Sequence, residues 1–231
     1  MPLILLIDTA QQTATIAIGN ADGIIAAVQS DNQMNHAAFI HKAIKNVLQT
    51  AGITIHNIDA VAVSNGPGSY TGLRVGLSTA KGLCYTLHKP LILINTLEIM
   101  AAAMIVEFEP RAEDDMLPFL YCPLIDARRL EVFTAIYDKN LQETMPPQPV
   151  LLTNESFGEQ LLTHKILFSG SGAEKFENII TAKNAFFNTL TNTIYAQNNI
   201  AQNYYGLQRF ADVAYSEPYY LKQFYDTRKK V

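Results

Sequence analysis

The sequence predicts an α/β fold that is duplicated along the chain. A strand, an acidic turn and a second strand, seen as LID at residues 6–8 and TIAI at 15–18, recur as LID at 124–126 and FTAI at 133–136. Both copies have the same offset, and a pattern that recurs in this way indicates repeated structure. Helical patterns follow the strands of the first half. We therefore expect two half-chains, each with three strands, a helix, a strand and a helix.

The strands are predicted from the type of apolar pattern. Continuous apolar runs are typical of central strands that are buried on both faces, whereas alternating runs are typical of strands paired antiparallel beside them. Turn residues such as Asp22-Gly23 separate one strand from the next. The predicted strands are residues 3–7, 13–19, 24–29, 61–66 and 91–94 in the first half and 119–125, 131–138, about 141–145 and 166–170 in the second.

The first predicted helix begins after Asn35, a suitable N-cap, and ends at Gly52, which supplies the left-handed stop. Between them, apolar residues recur every three or four positions. They are Ala37, Ile40, Ile44, Val47, Leu48 and Ala51. One apolar stripe is therefore expected along the whole helix.

The second predicted helix runs from about Thr71 to Leu87 and carries small residues four positions apart, at Gly72, Gly76 and Ala80. Small residues on one face of a helix let another backbone approach closely. Two interpretations are open. This face packs on the helix's own sheet, or it faces a partner chain, since two such helices side by side would form half of a helical bundle.

A domain boundary is predicted where periodicity is lost. Residues 109–118 have the sequence EPRAEDDMLP, which is charged, proline-flanked and without a helical or strand pattern. We expect an N-terminal half at residues 1–107, which carries the two helices. We expect a C-terminal half at residues 108–231, whose last helix or tail returns to the first half.

Composition excludes several classes of protein. The 231 residues are 48% apolar and 16% charged with a formal net charge of −4, so the chain can bury a core but has no long-range attraction for nucleic acid. The only basic cluster is expected in the tail, as a solvated terminus or as an RNA or partner contact. It comprises Lys222, Arg228, Lys229 and Lys230.

Cysteine content and apolar runs indicate the compartment. Two cysteines, Cys84 and Cys122, are too few for a disulfide framework, which favours a reducing cytoplasm. The N-terminus lacks a signal-peptide pattern, and nowhere do eighteen apolar residues run together. Neither export nor a membrane span is therefore expected.

A glycine-rich loop, GPGSYTG at residues 66–72, leads from a strand into the second helix. A helix N-terminus attracts anions, so the loop could hold a phosphate, or it shapes a close packing contact. It is not a Walker A element, because Leu73-Arg74 stand where lysine is required, and it lacks the dinucleotide fingerprint.

Other candidate groups give weaker signals. Asp8 and Asp126 each end a strand, where a carboxylate holds a metal, acts as a base or caps a turn. His36 and His41 lie about 140° apart around a helix, too far round to share a metal. No serine lies in a nucleophile elbow. No catalytic set and no metal site is predicted.

Five stretches carry a resemblance to a known family. They are IDTAQQTATIAI near the start, NGPGSYTGLRVGLSTAKGL in the middle, then IDARRLEVFTAIYD, FSGSGAEKF and EPYYLK. In this order and spacing the chain resembles the TsaB (YeaZ) family throughout its length. The resemblance implies the actin-like, Hsp70-like and sugar-kinase-like (ASKHA) fold, made of two ribonuclease-H-like halves with mixed five-stranded sheets and helices.

The resemblance also implies a function. Members of this family serve as non-catalytic scaffolds of the complex that forms N6-threonylcarbamoyladenosine at position 37 of tRNAs reading ANN codons. They act through TsaD, with the ATPase TsaE as a further partner, and form a homodimer when TsaD is absent. By this resemblance the chain alone takes no cofactor, ATP and metal belong to TsaD and TsaE, tRNA is met only within the complex, and there is no membrane partner.

Particular residues agree with a degenerate, non-catalytic copy. Active kinases of this fold have Asp-x-Gly-Thr in the first phosphate loop, whereas Ala10 and Gln11 follow Thr9 here. The pair of histidines four apart that holds the metal of TsaD has no counterpart in this chain. By resemblance, the vestigial phosphate loop comprises Asp8, Thr9, Gly66, Gly68 and Ser69.

The resemblance places the partner contact on the two predicted helices. In the family they form a four-helix bundle with the same helices of TsaD or of a second copy. The predicted contact residues are His36, Ile40, Ala43, Ile44, Val47, Gly72, Leu73, Gly76, Leu77 and Ala80.

One departure and one alternative remain. Family members commonly close with Tyr-Leu-Arg, whereas this chain has Tyr220-Leu221-Lys222 and loses the planar fork of arginine. The alternative function is a free-standing ATP-dependent kinase or a peptidase, which predicts nucleotide or metal binding by the isolated chain.

Overall fold

The computed structural model describes residues 1–30, 36–108, 117–191 and 193–222. Within these ranges the strands are β1 (Ile4–Asp8), β2 (Thr15–Asn20), β3 (Gly23–Gln29), β4 (Ala60–Ser64), β5 (Leu91–Ile94), β6 (Phe119–Asp126), β7 (Glu131–Tyr137), β8 (Glu143–Leu151), β9 (Lys165–Ser169) and β10 (Ala185–Phe187). The helices are α1 (His36–Ala51), α2 (Tyr70–Leu87), α3 (Thr96–Glu107), α4 (Gly158–Thr163), α5 (Ala173–Glu177) and α6 (Thr193–Gly206).

The strands form two five-stranded mixed sheets with the same topology. The first sheet has the order β3-β2-β1-β4-β5 and the second has the equivalent order β8-β7-β6-β9-β10. In each sheet the central strand pairs antiparallel with the strand that follows it in the chain and parallel with the strand after the first helix. The duplicated α/β fold is therefore confirmed.

Alternate residues of β1 explain how the helices are layered on the first sheet. Leu5 and Ile7 pack under α1 and α2 on one face, whereas Ile4 and Leu6 pack under α3 and α6 on the other. All four side chains are buried, and each contributes about 1.5–3 kcal/mol by leaving water. A strand covered on both faces has no polar positions to alternate with, which is why the run is continuously apolar.

The helix α3 joins the two sheets. Ile99 and Ala103 contact the core of the first sheet, while Leu97 and Met100 contact Ile125 of the second. The second sheet buries its other face against α4 and α5. No helix in the described ranges is both long and apolar enough to cross a membrane.

The predicted elements differ from the observed ones in a few places. The predicted strand at residues 91–94 is present as β5, whereas α3 in the first half and β10 with α6 in the second half were not predicted. The third strand of the second half is β8, which begins and ends later than predicted because its prolines mask the strand pattern. Gly52 has the predicted left-handed φ of 67°, whereas the predicted cap Asn35 lies outside the described residues.

The small-residue face of α2 packs on the chain's own first sheet. A Cβ atom added at Gly72 would lie on the carbonyl oxygen of Thr9, and one added at Gly76 on its hydroxyl, both closer than the 3.0 Å that real Cβ atoms keep. The Thr9 hydroxyl donates a hydrogen bond of 2.8 Å to the carbonyl of Gly72. The glycines are therefore required by the fold of the single chain. At Gly82, on the outer side of α2, no atom of the described ranges lies within 4 Å of the equivalent position.

These contacts predict opposite effects for two glycine substitutions in one helix. Gly76→Ala inserts a methyl group into the Thr9 contact and is expected to lower the free energy of unfolding by about 1–3 kcal/mol. Gly82→Ala meets open space and is expected to raise it by up to about 1 kcal/mol, because alanine favours the helix. Urea unfolding of both variants measures the difference, and equal effects would contradict this packing.

Candidate functional site

A cleft lies between the two halves at the end of β1. Its volume is about 690 Å³, and its walls include Asp8 and Gln11 from the first half with Glu174, Glu177 and Asn188 from the second. No lysine or arginine of the described residues lines it. Polar and acidic groups therefore dominate the cleft.

Asp8 is buried at the base of this cleft. Its Oδ1 accepts hydrogen bonds from the Ser64 hydroxyl at 2.7 Å and from the Ala10 amide at 3.1 Å. Burial raises the pKa of the Asp8 carboxyl, and the hydrogen bonds from Ser64 and Ala10 oppose the rise. Asp8 is thus tied into the turn that it ends.

The glycine loop is packed between two other segments. The Ser69 amide donates to the carbonyl of Ala10 at 2.7 Å, and a Cβ added at Gly68 would lie on that same carbonyl oxygen. On the other side, a Cβ at Gly66 would lie on the carbonyl oxygen of Tyr219, and Gly66 has a positive φ of 117°. The loop thus allows three backbone segments to meet closely.

The start of α2 is already capped by the protein itself. The Ser69 hydroxyl accepts a hydrogen bond from the Gly72 amide at 3.3 Å, and the Ser69 carbonyl accepts one from Leu73 at 2.8 Å. Together with the Ser69 amide, these contacts use groups that an anion at a helix N-terminus would need.

Asp126 lies in a different environment from Asp8. It is exposed, it pairs with Lys175 at 2.7 Å, and it is not among the residues that line the cleft. The hydrogen bond from Lys175 lowers the pKa of the Asp126 carboxyl. The two equivalent aspartates of the repeat therefore do not form one carboxylate site.

The cleft does not fit a nucleoside triphosphate. The actin-like fold implies such a ligand, but the described lining offers no cation, and Glu174 and Glu177 add negative charge. Ala10 fills the position at which active kinases use glycine, and its carbonyl faces Gly68 and Ser69. Phosphate would meet packed backbone and carboxylates.

The described ranges offer neither a group of side chains that could hold a metal ion nor a reactive thiol. No cluster of three histidine, cysteine or acidic side chains occurs among the residues that the structure describes. Burial raises the pKa of Cys84 to about 11 and that of Cys122 to about 12, so both thiols stay protonated and unreactive near neutral pH.

The predicted partner-contact side chains lie in the core. Those whose side chains are described belong to the faces of α1 and α2 that pack on the first sheet, so they do not present their side chains to a partner. The buried ones are Ile40, Ala43, Ile44, Val47, Gly72, Leu73, Gly76, Leu77 and Ala80. This part of the prediction disagrees with the structure, because the apolar stripe is needed by the chain's own sheet. The side chain of His36 lies outside the described part.

The outer faces of α1 and α2 are the surfaces that remain available. On α2 the outer stripe runs along Thr71, Arg74, Ser78, Gly82 and Tyr85, and the Tyr85 side chain is 78% exposed. The recurrence of these residues at three or four positions is visible in the sequence, so the same periodicity that identified the buried face could have identified this one.

The two helices are basic. Neither contains an aspartate or glutamate, whereas Lys42, Lys45, Arg74 and Lys81 are cationic. The tail is therefore not the only basic cluster of the chain. Because the protein is acidic as a whole, this local charge stands out as an electrostatic feature.

Residues 207–222, which we call the strap, follow α6 and contact α2 at Arg74 and Lys81. The Tyr219 amide donates to the Asn65 carbonyl at 2.7 Å, and the Tyr220 hydroxyl accepts from Arg74 Nε at 3.0 Å. Lys81 donates to the carbonyls of Ala214 and Ser216. The sequence predicts a tail that returns to the first half and singles out Tyr220, but it does not predict these contacts, because the strap has no periodic pattern and its acceptors are mostly backbone carbonyls.

The closing Lys222 forms a single ion pair. Its ammonium group donates to Glu131 of β7, so the strap contacts both halves. A lysine makes this point contact without the planar, two-pronged geometry of arginine.

The chain is similar in sequence to a known protein family and to a named relative. The family model described as TsaD, tRNA N6-adenosine threonylcarbamoyltransferase, matches residues 23–219. The tRNA threonylcarbamoyladenosine biosynthesis protein TsaB of Bacillus subtilis (strain 168) is 33% identical over 154 residues, which are 65% of this chain. The match spans 63% of the length of that relative.

Two solved structures support the fold. A Pseudomonas aeruginosa protein described as uncharacterized with similarity to peptidase YEAZ has a TM-score of 0.79 at 18% identity, over 96% of this chain and 100% of its own. The inorganic polyphosphate/ATP-glucomannokinase of Arthrobacter sp. strain KM has a TM-score of 0.50 at 9% identity, over 90% and 100%. These likenesses confirm the actin-like, sugar-kinase-like fold. Because the family model covers most of the chain, the chain belongs to the family of that model.

Proposed function

We propose that the chain is a non-catalytic subunit in the formation of N6-threonylcarbamoyladenosine at position 37 of tRNAs that read ANN codons, and that it acts through TsaD. The observation that carries this proposal is the closed packing of the glycine loop, in which Gly68 lies on Ala10 and Gly66 lies on Tyr219. A kinase of this fold needs the same region open to phosphate. The reaction is the one named in the descriptions of the B. subtilis relative and of the matching family.

The outer faces of α1 and α2 are the proposed docking surface for TsaD. Tyr85 is a large exposed aromatic residue, and Ser78 and Gly82 beside it leave room for a partner helix to approach. An exposed glycine inside a helix costs stability, and none of the described residues approaches the position that a Cβ of residue 82 would occupy. Close approach by a partner helix would explain why residue 82 is a glycine.

The charge of these helices defines the partner's chemistry. The four cations of these two helices, neither of which contains an acidic residue, favour a partner helix face that is acidic, and they oppose self-association because two copies would bring like charges together. We propose that a heterodimer forms in preference to a homodimer, with TsaE and tRNA joining the assembled pair.

The deciding experiment combines light scattering with a transfer assay. The purified chain, alone and mixed with the TsaD of its own organism, is analysed by size-exclusion chromatography with light scattering. The same samples are then tested for transfer from threonylcarbamoyl-AMP to tRNA. A heterodimer, and modification that requires both chains, support the proposal. Turnover of ATP or a peptide by the isolated chain would instead support the kinase or peptidase alternative.

Substitutions on the outer face of α2 test the docking surface. Tyr85→Ala is expected to weaken binding to TsaD by about tenfold or more, because a large exposed aromatic ring at an interface is a typical hot spot. Gly82→Leu is expected to block association through bulk while the helix still folds. Calorimetric titration measures both effects, and increasing salt should weaken the wild-type complex.

A matched control separates docking from general surface effects. Tyr195→Ala removes a tyrosine that is 53% exposed on α6, away from α1 and α2, and should leave the dissociation constant unchanged. If Tyr85→Ala and Gly82→Leu bind TsaD as tightly as the wild type and this control do, α2 is not the docking surface.

Asp8→Asn tests the non-catalytic assignment. The amide can keep the acceptor that bonds Ser64 and Ala10, so the assembled complex is expected to retain its transfer activity. A catalytic or metal-binding carboxylate would be inactivated by this change. Transfer assays with the variant complex distinguish the two roles.

The same variant has a defined pH dependence of stability. Burial raises the folded-state pKa of Asp8. The stabilisation that the protonated Asp8 carboxyl gives to the folded state is therefore fully present below the unfolded-state pKa and is lost as pH rises through the folded-state pKa. Asp8→Asn should therefore gain stability relative to the wild type as pH rises from acidic to neutral, by about 1.4 kcal/mol for each pH unit that separates the unfolded-state pKa from the folded-state pKa. Urea unfolding across this range measures the gain, and a difference that does not change with pH would contradict the burial of an ionisable Asp8.

A further inference from the structure

A second concave region lies at the carboxyl ends of β4 and β5, away from the cleft at Asp8. It consists of two adjoining cavities of about 320 and 720 Å³. Both are lined by Glu98, Tyr204 and Arg209, and neither shares a lining residue with the Asp8 cleft. Ligands of α/β proteins commonly bind beyond the carboxyl ends of parallel strands, in cavities of this size.

Glu98 supplies a fixed negative group in this region. It lies in the first turn of α3, where the helix dipole favours a carboxylate. Its Oε1 accepts a hydrogen bond from the Tyr204 hydroxyl at 2.8 Å, which fixes the carboxyl group. Burial raises the pKa of the Glu98 carboxyl, whereas Tyr204 and Arg209 oppose that rise. A partly buried carboxylate of this kind gains from a cationic partner.

Arg209 supplies a positive charge that lies over the ring of Tyr204, whereas Glu98 lies at the hydroxyl of Tyr204. Its guanidinium carbon lies 4.1 Å from the centre of the Tyr204 ring, so stacking orients the planar group. Arg209 and Glu98 do not form an ion pair with each other among the described residues. Tyr204 thus holds a cation over its ring and an anion at its hydroxyl without joining them.

The remaining lining of the smaller cavity suits a compact organic molecule. Leu93 and Phe210 contribute apolar surface, while Asn65 and Asn95 contribute amide groups at the strand ends. An isolated anion would meet Glu98, and an isolated cation would meet Arg209. A molecule that carries both charges satisfies both side chains at once.

We propose that this cavity binds a small zwitterion of the α-amino-acid type, with its ammonium group on Glu98, its carboxylate on Arg209 and its side chain against Leu93 and Phe210. Charge-assisted hydrogen bonds to two oppositely charged groups give such a site both affinity and orientation. The proposal goes beyond the proposed function, because nothing in the docking of TsaD requires this cavity.

Ligand-observed NMR with the purified chain is the first test. The standard L-amino acids are screened, with L-leucine as the reference probe for the apolar wall. N-acetyl-L-leucine, which lacks the ammonium group, and L-leucinamide, which lacks the carboxylate, are measured beside it. Each derivative is expected to bind about tenfold more weakly or worse than leucine, because each loses one charge-assisted contact.

Two substitutions locate the binding to this cavity. Glu98→Gln keeps an acceptor for Tyr204 but loses the charge, and Arg209→Gln removes the guanidinium; both should abolish measurable binding. Glu159→Gln, in the first turn of α4, and Arg128→Gln are the matched controls, since both residues are exposed and line neither cavity. Thermal unfolding verifies that each variant is folded.

The outcomes separate this proposal from the proposed function. The proposal is overturned if no amino acid binds, if the acetylated and amidated derivatives bind as well as leucine, or if the Glu98 and Arg209 variants bind like the wild type. Association with TsaD is measured independently on the Glu98→Gln variant and is expected to be unchanged. Failure of one proposal therefore leaves the other standing.

Discussion

The contact between Thr9 and the inner face of α2 is the constraint on which the rest of the first half depends. Two glycines let the helix approach until the Thr9 hydroxyl bonds to the carbonyl of Gly72. This approach sets the rotation of α2 about its axis, because only one face has residues small enough to fit. The opposite face, which carries Arg74 and Tyr85, is thereby directed outward. Packing inside the chain thus decides which surface is offered outside it.

The same contact links the proposed docking role to the closed Asp8 region. Thr9 follows Asp8 directly, so a helix held on Thr9 also holds the turn that an active kinase would use for phosphate. Ala10 then packs on Gly68 and Ser69. In an enzyme such close packing would exclude the substrate, whereas in a scaffold it makes the helix pair rigid. A rigid docking surface loses less conformational entropy when a partner binds.

The fold could be predicted from the sequence because its signals are local. Continuous runs such as residues 119–125 reveal strands buried on both faces, and the repeat at residues 6–8 and 124–126 reveals the duplication. The direction of the small-residue face could not be predicted in this way. Periodicity tells which residues share a face, but the atom that fills the space beside Gly76 belongs to Thr9, far away in the sequence.

The second concave region was hidden from sequence reasoning for the same reason. Glu98 and Tyr204 are separated by 106 positions. Each fits the pattern of its own helix, and neither pattern predicts the contact between them. The individual contacts of the strap could not be predicted either, since those with Asn65 and Lys81 involve backbone groups that every residue type carries. The surfaces for which we propose a function are assembled from distant segments, whereas the elements that support them are local.

The strap also has a consequence for the order in which the protein is made. Arg74 bonds to Tyr220, a partner 146 residues later in the chain. During synthesis the first sheet and α2 are complete long before Tyr219 and Tyr220 leave the ribosome, so the growing chain exposes Gly66 and Arg74 without their cover. The surroundings of α2 are complete only after the strap has been synthesised, so the proposed docking surface is finished when nearly all of the described fold is in place.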